Sequence, residues 1–288
     1  ANEDGKVDAS IADRFGIISA SGIGGLGTIE KNSIVCNTRG PKKISPFFIP
    51  SSLVNMLGGF VSIAHGLKGP SLSHVTACAA STHAIADATK TIMLNGADRI
   101  LVVGAESAIC GAGVGGFAAM KALSTRNDDP KKASRPFDVD RDGFVMGEGA
   151  GALVLETLDS ALERGAKIYA EVIGFGESGD ANHITAPVMD GPLRAMKAAF
   201  AMAKEITGVE PKIDYINTHG TSTPVGDVNE TKAIKEAFGG LENCPPVTST
   251  KGQVGHCLGA AGAIEAIFAI KAMNEGIIPP TINIENQD

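Results

Sequence analysis

The chain has 288 residues, with 25 Lys and Arg against 32 Asp and Glu, a formal charge of −7, 43% apolar residues, 36 Gly, 5 Cys and no Trp. That length supports one large domain or two packed ones, and glycine spread through apolar segments argues against a disordered polymer. The acidic balance and two Tyr leave neither the basic surface nor the stacking platforms of a nucleic-acid binder. Cys36, Cys78, Cys110, Cys244 and Cys257 are odd in number and lack CxxC or metal-ligand spacing, so they read as free thiols of a reducing, cytoplasmic compartment.

The chain opens on Ala1 rather than Met and shows no signal peptide, which predicts that it begins inside a longer one. Residues 14–19 are β-prone and lead into the glycine-rich SGIGGLG, a strand ending in a tight loop, with a helix following through Cys36. The uncharged run 44–67 is interrupted by Pro46, Pro50, Asn55, Gly58 and Gly59, so it predicts a buried helix after Pro50 and no membrane span. Residues 66–107 then read as loop, short strand, long helix, turn at Asn95-Gly96 and a buried strand over 99–105.

Strands are expected over 144–158 and 167–175, joined by a helical turn through 159–164. Leu193, Met196, Phe200 and Ala203 recur at helical spacing and predict an amphipathic helix over 191–206. A strand over 212–218, a helix marked by Val228, Thr231, Ile234 and Phe238, a short strand over 247–249 and a last helix through Ile264, Ile267, Ile270 and Met273 complete the order. DRILVVGAE and KIDYINTHG follow similar helix and turn layouts, a faint sign of duplication, and residues 127–134 are the most linker-like piece.

Three glycine runs imitate a dinucleotide loop: Gly22/Gly24/Gly27, Gly111/Gly113/Gly116 and Gly147/Gly149 with Ala152. In a chain this rich in glycine they read as tight turns and close packing, and a nucleotide-binding protein ranks a distant third among the functions considered. Asp138, Asp140, Asp142 and Gly143 imitate a calcium loop, but its twelfth position holds Gly149 where a bidentate Glu is required, so a structured acidic turn is expected and no metal.

Chemistry is predicted at three places. Cys78 lies in HVTACAAST, where a β-prone segment turns directly into a helix of small residues, and a helix start stabilises a thiolate. His219 closes IDYINTHGTSTPVGD, and His256 lies in STKGQVGHCLGAAGAIEA just before the last helix. Each follows a strand and precedes a glycine turn, where an α/β sheet presents side chains to a crevice.

TACAAS, THGTSTPVGD, STKGQVGHCLGAAGAIE and the long GVGGFAAMKALSTRNDDPKKASRPFDVDRDGFVMGEGAG, in that order, resemble the β-ketoacyl-[acyl-carrier-protein] synthases over essentially the whole chain. The resemblance implies a thiolase-like α/β fold, a layered αβαβα sandwich of two related halves. The amino-terminal half, 1–165, carries the nucleophile, and the carboxyl-terminal half, 166–288, carries the two histidines. It also implies that the family's first strand region and its carboxyl-terminal Gly-rich segment are lacking here.

The activity so implied is decarboxylative condensation of an acyl-enzyme with malonyl-carrier protein in fatty acid elongation, by a cytoplasmic acyltransferase with no bound cofactor. Cys78 would be the nucleophile, and His219 and His256 would stabilise the enolate, with Lys251 and Glu265 supporting them. A second His rather than Asn at 256 favours the elongating type, and Ile23, resembling a bulky acyl-pocket residue, favours a type II character. Thr221 and Thr223 match positions that bind the phosphopantetheine arm. Lys42, Lys43 and Lys121 resemble a basic rim for acyl carrier protein, and a homodimer is implied. The rival reading is a noncatalytic chain-length-determining partner or an inactive truncated synthase; retention of Cys78, His219 and His256 favours the enzyme.

Overall fold

A computed structural model describes residues 4–184 and 186–288. The chain forms two compact units, interleaved along the sequence. The first comprises the described residues up to Ala119, Met146–Ile168 and Cys257–Ile267; the second comprises Met120–Val145, Tyr169–His256 and Phe268–Asp288. Among the described residues no helix is long and apolar enough to cross a membrane.

In the first unit a short helix α1 (Ala9–Ala12) precedes β1 (Phe15–Ala20), α2 (Leu26–Arg39), α3 (Met56–His65) and β2 (Ser71–His74). There follow α4 (Ala80–Met93), β3 (Arg99–Glu106), α5 (Gly111–Ala119), β4 (Gly149–Glu156) and α6 (Leu158–Glu163). The four strands form one sheet in the order β2-β1-β3-β4, parallel except for the antiparallel β3–β4 pair. β1 sits inside the sheet and is buried along nearly its whole length, which accounts for its continuous FGIISA run.

The core lies between this sheet and α4. Ala80, Ala84 and Ala88 recur every four residues on one helix face and meet Ile18, Ile100 and Val102, all without solvent exposure. Burying each of the three larger side chains is worth about 1.5–3 kcal/mol. The alanine stripe lets the helix approach so closely that a Cβ on Gly104 of β3 would overlap the Ser81 hydroxyl.

α3 departs from expectation. It starts at Met56, after turns over 50–55, and is only partly buried, with Phe60 and Ile63 57% and 71% exposed. Its uniform apolarity hid the fact that a single stripe, at Gly58, faces Ser19 of β1.

The second unit contains α7 (Asp190–Thr207), β5 (Ile216–Asn217), α8 (Gly226–Ala237), β6 (Val247–Thr248), α9 (Lys251–Val254) and the residues after Ile267 in α10 (Ala261–Glu275). α7 and α8 pack together, with Phe200 edge-on to Phe238 at 5.5 Å. β5 and β6 pair in parallel over two residues each, shorter than the strand expected over 212–218.

The strand expected over 167–175 does not form: residues 167–176 make no ladder among the described residues. A strand needs a neighbour for its N–H and C=O groups, and the end of this segment packs instead against α7, where a Cβ on Gly174 would come within 2.6 Å of the Ala199 carbonyl. The linker-like 127–134 is also anchored. It holds a 3-10 turn at Pro130–Lys132 and leads to Arg135, which is buried and paired at 2.9 Å with a fully buried Asp138. Asp138 also accepts the N–H groups of Asp140, Glu285 and Asn286, so these donors and Arg135 hold its carboxyl far below the ordinary carboxylate range against the opposing effect of burial. The acidic turn thus spends its first carboxylate on protein donors.

Candidate active site

Cys78 stands at the junction between β2 and α4. Ala77 adopts a left-handed conformation, φ 50°, and a 3-10 turn over Ala77–Ala79 runs directly into α4. A non-glycine residue held there stores about 1–2 kcal/mol. The turn places the thiol, partly accessible, at the positive end of a 14-residue helix.

The same unit contains a second junction of this shape. Leu258, φ 47°, opens a 3-10 turn over Leu258–Ala260 that runs into α10. The two helix starts abut: the Ser81 hydroxyl donates to the Gly259 carbonyl, and a Cβ on Gly262 would lie 2.7 Å from the Thr82 nitrogen. The glycines of LGAAG are therefore set by close packing against the cysteine-bearing turn.

In the second unit, His219 follows β5 and His256 follows α9 across Gly255, φ 72°. Their rings meet edge to face, 5.3 Å apart at 88°, and Phe144 flanks His256 at 5.2 Å. The His256 backbone N–H donates to the Val145 carbonyl at 2.7 Å. Lys251 is 1% exposed and faces both imidazoles with its positive charge.

Desolvation, reinforced by Lys251, holds the His219 pKa down to about 3. Desolvation, His219 and Lys251 together hold that of His256 down to about 2. His219 is nonetheless exposed whereas His256 is 2% exposed, so desolvation bears fully on His256 alone, and the Lys251 charge lowers the pKa of both rings. Both rings are therefore neutral at pH 7, each with one N–H to offer to an oxygen that gains charge.

Two carboxylates on α8 hold this arrangement. Glu230 accepts the backbone N–H groups of His219 and Gly220, each at 2.7 Å. Burial raises its pKa, while those donors and Lys251 pull it down. Asp227, 2% exposed, accepts the N–H groups of Ser222, Thr223 and Phe137, and its pKa is likewise raised by burial against these bonds and Arg141. Arg141 completes the clamp, donating to the carbonyls of Thr223 at 3.0 Å and Pro224 at 2.9 Å. The loop so fixed places the Thr221 and Thr223 hydroxyls 3.1 Å apart. Turn capping here falls to Asp227.

Ile23 is half-buried and donates its N–H to Glu106. Lys42 and Lys43 are exposed on a 3-10 turn, Pro41–Lys43, and Lys43 borders a cleft of about 710 Å³ beside Phe47 and Phe48. Lys121 is exposed, and Glu265 is partly buried on the second turn of α10. A second cleft, about 640 Å³, lies between α3 and the ends of β1 and β3. Sequence reasoning did not single out Glu106, Glu230, Asp227 or Arg141. A signal existed for two of them: Asp227 and Glu230 lie on the same helical stripe as the buried Ile234, and a carboxylate on an apolar stripe calls for partners.

Residues 1–161 match the N-terminal domain of the beta-ketoacyl synthases, and residues 169–285 match the C-terminal domain. The chain belongs to the beta-ketoacyl synthase family. It is 49% identical over 284 residues to 3-oxoacyl-[acyl-carrier-protein] synthase 2 of Coxiella burnetii (strain RSA 493 / Nine Mile phase I), spanning 98% of this chain and 68% of that protein. A crystal structure of a beta-ketoacyl synthase from Burkholderia phymatum STM815 aligns with TM-score 0.90 at 37% identity, over 98% of this chain and 67% of that one. A type II PKS acyl-carrier protein in complex with its ketosynthase aligns with TM-score 0.87 at 32% identity, over 100% of this chain and 72% of that one. The thiolase-like α/β fold expected from the motifs is the fold of this β-ketoacyl synthase, and its activity is that of an acyltransferase making 3-oxoacyl thioesters in fatty acid elongation.

Proposed function

We propose that this β-ketoacyl synthase carries its acyl chain on Cys78 and extends it with two carbons from malonyl-carrier protein, using His219 and His256 to bind the enolate oxygen. The observation that carries the reading is the perpendicular imidazole pair backed by buried Lys251. Neutral rings donate N–H without surrendering a proton, which suits an oxygen that becomes an enolate and then a carbonyl again.

In the first half-reaction the Cys78 sulfur attacks the acyl thioester carbonyl, the carbon–sulfur bond to the pantetheine arm breaks, and the departing thiolate takes up a proton. In the second, the carbon–carboxylate bond of the malonyl group breaks and carbon dioxide leaves. The electron pair passes into the enolate held by His219 and His256. The enolate carbon attacks the acyl-Cys78 carbonyl, a carbon–carbon bond forms, and Cys78 departs as thiolate to be reprotonated. Loss of carbon dioxide drives the sequence.

Lys251 and Glu265 are assigned to support the histidines, Thr221 and Thr223 to hold the phosphopantetheine arm, and Ile23 to line the acyl chain. The division of labour places the nucleophile in 1–165 and the histidines in 166–288. Acyl carrier protein is the assigned partner, met by Lys42, Lys43 and Lys121; the carrier complex of a structural neighbour and the exposure of these lysines support this. A cytoplasmic homodimer is assigned as well, and β2, an edge strand with exposed Leu72, suits pairing with a second copy.

The test is incubation of the protein from its complete reading frame with acyl-carrier protein, followed by peptide mass. An acyl adduct on Cys78, absent in Cys78→Ala, is expected. His219→Ala and His256→Ala should still acylate while losing malonyl decarboxylation. A folded protein that stays unmodified at Cys78 overturns the assignment.

A further inference from the structure

Glu106 ends β3 and is 4% exposed, yet no step of the condensation uses it. Its two carboxylate oxygens accept four hydrogen bonds. Oε1 takes the Ser21 hydroxyl at 2.8 Å and the Ile23 N–H at 3.3 Å; Oε2 takes the Gly22 N–H at 2.6 Å and the Gly259 N–H at 2.9 Å. The Ser21 oxygen in turn accepts the Gly24 N–H at 2.9 Å. The backbone of 22–24 is thus wrapped around one anion, directly at Gly22 and Ile23 and through Ser21 at Gly24.

This also explains glycines that imitate a dinucleotide loop. A Cβ on Gly22 would come within 2.8 Å of Glu106 Oε2, and a Cβ on Gly259 would come within 2.8 Å of the same oxygen and 2.6 Å of the Ser21 carbonyl carbon. The SGIGG turn is shaped to cradle an internal carboxylate, in the way similar turns cradle a phosphate. Because Ile23 is held by its own N–H and by those of both neighbours, its side chain has little freedom to move without breaking bonds to a buried charge.

We infer that Glu106 is a positioning residue whose carboxylate fixes the Ile23 loop and thereby sets which acyl chains the enzyme accepts. The inference rests on the reading that Ile23 lines the acyl chain. It predicts a defect that depends on chain length, because a loosened Ile23 alters the fit of long chains and leaves the chemistry of the thioester alone.

The experiment uses Glu106→Gln in the protein from its complete reading frame. Either orientation of the amide turns one oxygen, with two of the four bonds, into a donor facing donors. Condensation is measured across saturated acyl-carrier proteins from butyryl to palmitoyl, beside malonyl decarboxylation. The expected result is a kcat/KM change of about tenfold or more at the longest chains, with butyryl condensation and decarboxylation within about twofold of the parent. Ile23→Ala supplies the decisive control: in that background Glu106→Gln should no longer change the chain-length profile, since the side chain it positions is gone. Should Glu106→Gln fail to fold, Ser21→Ala removes one of the four bonds and the relay to Gly24, and is expected to shift the profile in the same direction by less. A uniform loss at all lengths, or an undiminished effect in the Ile23→Ala background, overturns the inference. A parent enzyme that never acylates at Cys78 overturns instead the reading on which it rests.

Discussion

Lowering the pH from 7 to 5 is expected to remove about 2 kcal/mol of stability through His256 alone. His256 is 2% exposed, flanked by Phe144 and His219, and its folded pKa is held down to about 2 by desolvation, then by His219 and Lys251. In the unfolded chain the ring returns to about 6.5. Between those values the unfolded state binds a proton that the folded state refuses, so stability rises with pH through the window and is lost as pH falls below about 6.5. The slope approaches about 1.4 kcal/mol per pH unit once the unfolded ring is fully charged. Glu230 acts with the opposite sign: burial raises its folded pKa, so the stability it contributes is lost as pH rises through that value. His219 shares the sign of His256, but its exposure excludes an energy assignment. Subtraction isolates the effect. Urea titrations of the parent and of His256→Asn at pH 7, 6 and 5 should give a stability difference that shrinks, or turns against the parent, by about 2 kcal/mol across the range. Parallel stability curves for the two proteins would refute the claim that His256 is buried neutral.

Gly259→Ala should destabilise by about 1–3 kcal/mol, read as a lowered urea midpoint, because its Cβ would press into the backbone at Ser21 and Gly22. Glu230→Gln should leave Cys78 acylation intact and lower malonyl decarboxylation by about tenfold, measured as released carbon dioxide, since one of the His219 and Gly220 N–H groups must then face an amide donor. Arg141→Lys keeps the charge but loses the fork that grips the Thr223 and Pro224 carbonyls. A higher KM for carrier-bound substrates with little change in kcat is expected, and an unchanged KM would free the Thr221–Thr223 loop from that clamp.

Much of the site's local form was legible in the residues. The β-prone run before TACAAS and the small residues after it specify a strand-turn-helix, and β2, Ala77 and α4 realise it. The partners of the buried charges were not legible. Glu106 and Gly22 are 84 residues apart, and Glu106 and Gly259 are 153 apart. The failed strand at 167–175 has the same origin: an apolar β-branched run states a preference, and the ladder requires a neighbour that local sequence does not specify.

By themselves, the order and type of the amino acids determined the family, the α/β alternation, and the short list of side chains able to do chemistry. Hydrophobic period and turn residues act between near neighbours, so they survive in a one-dimensional reading. Tertiary structure alone decided that the histidines are neutral, that α8 supplies two carboxylates beneath the THGTSTP loop, and that the first glycine turn encloses Glu106. Each of those depends on desolvation and hydrogen bonds between groups distant in the chain, and these exist only after the backbone has brought them within reach.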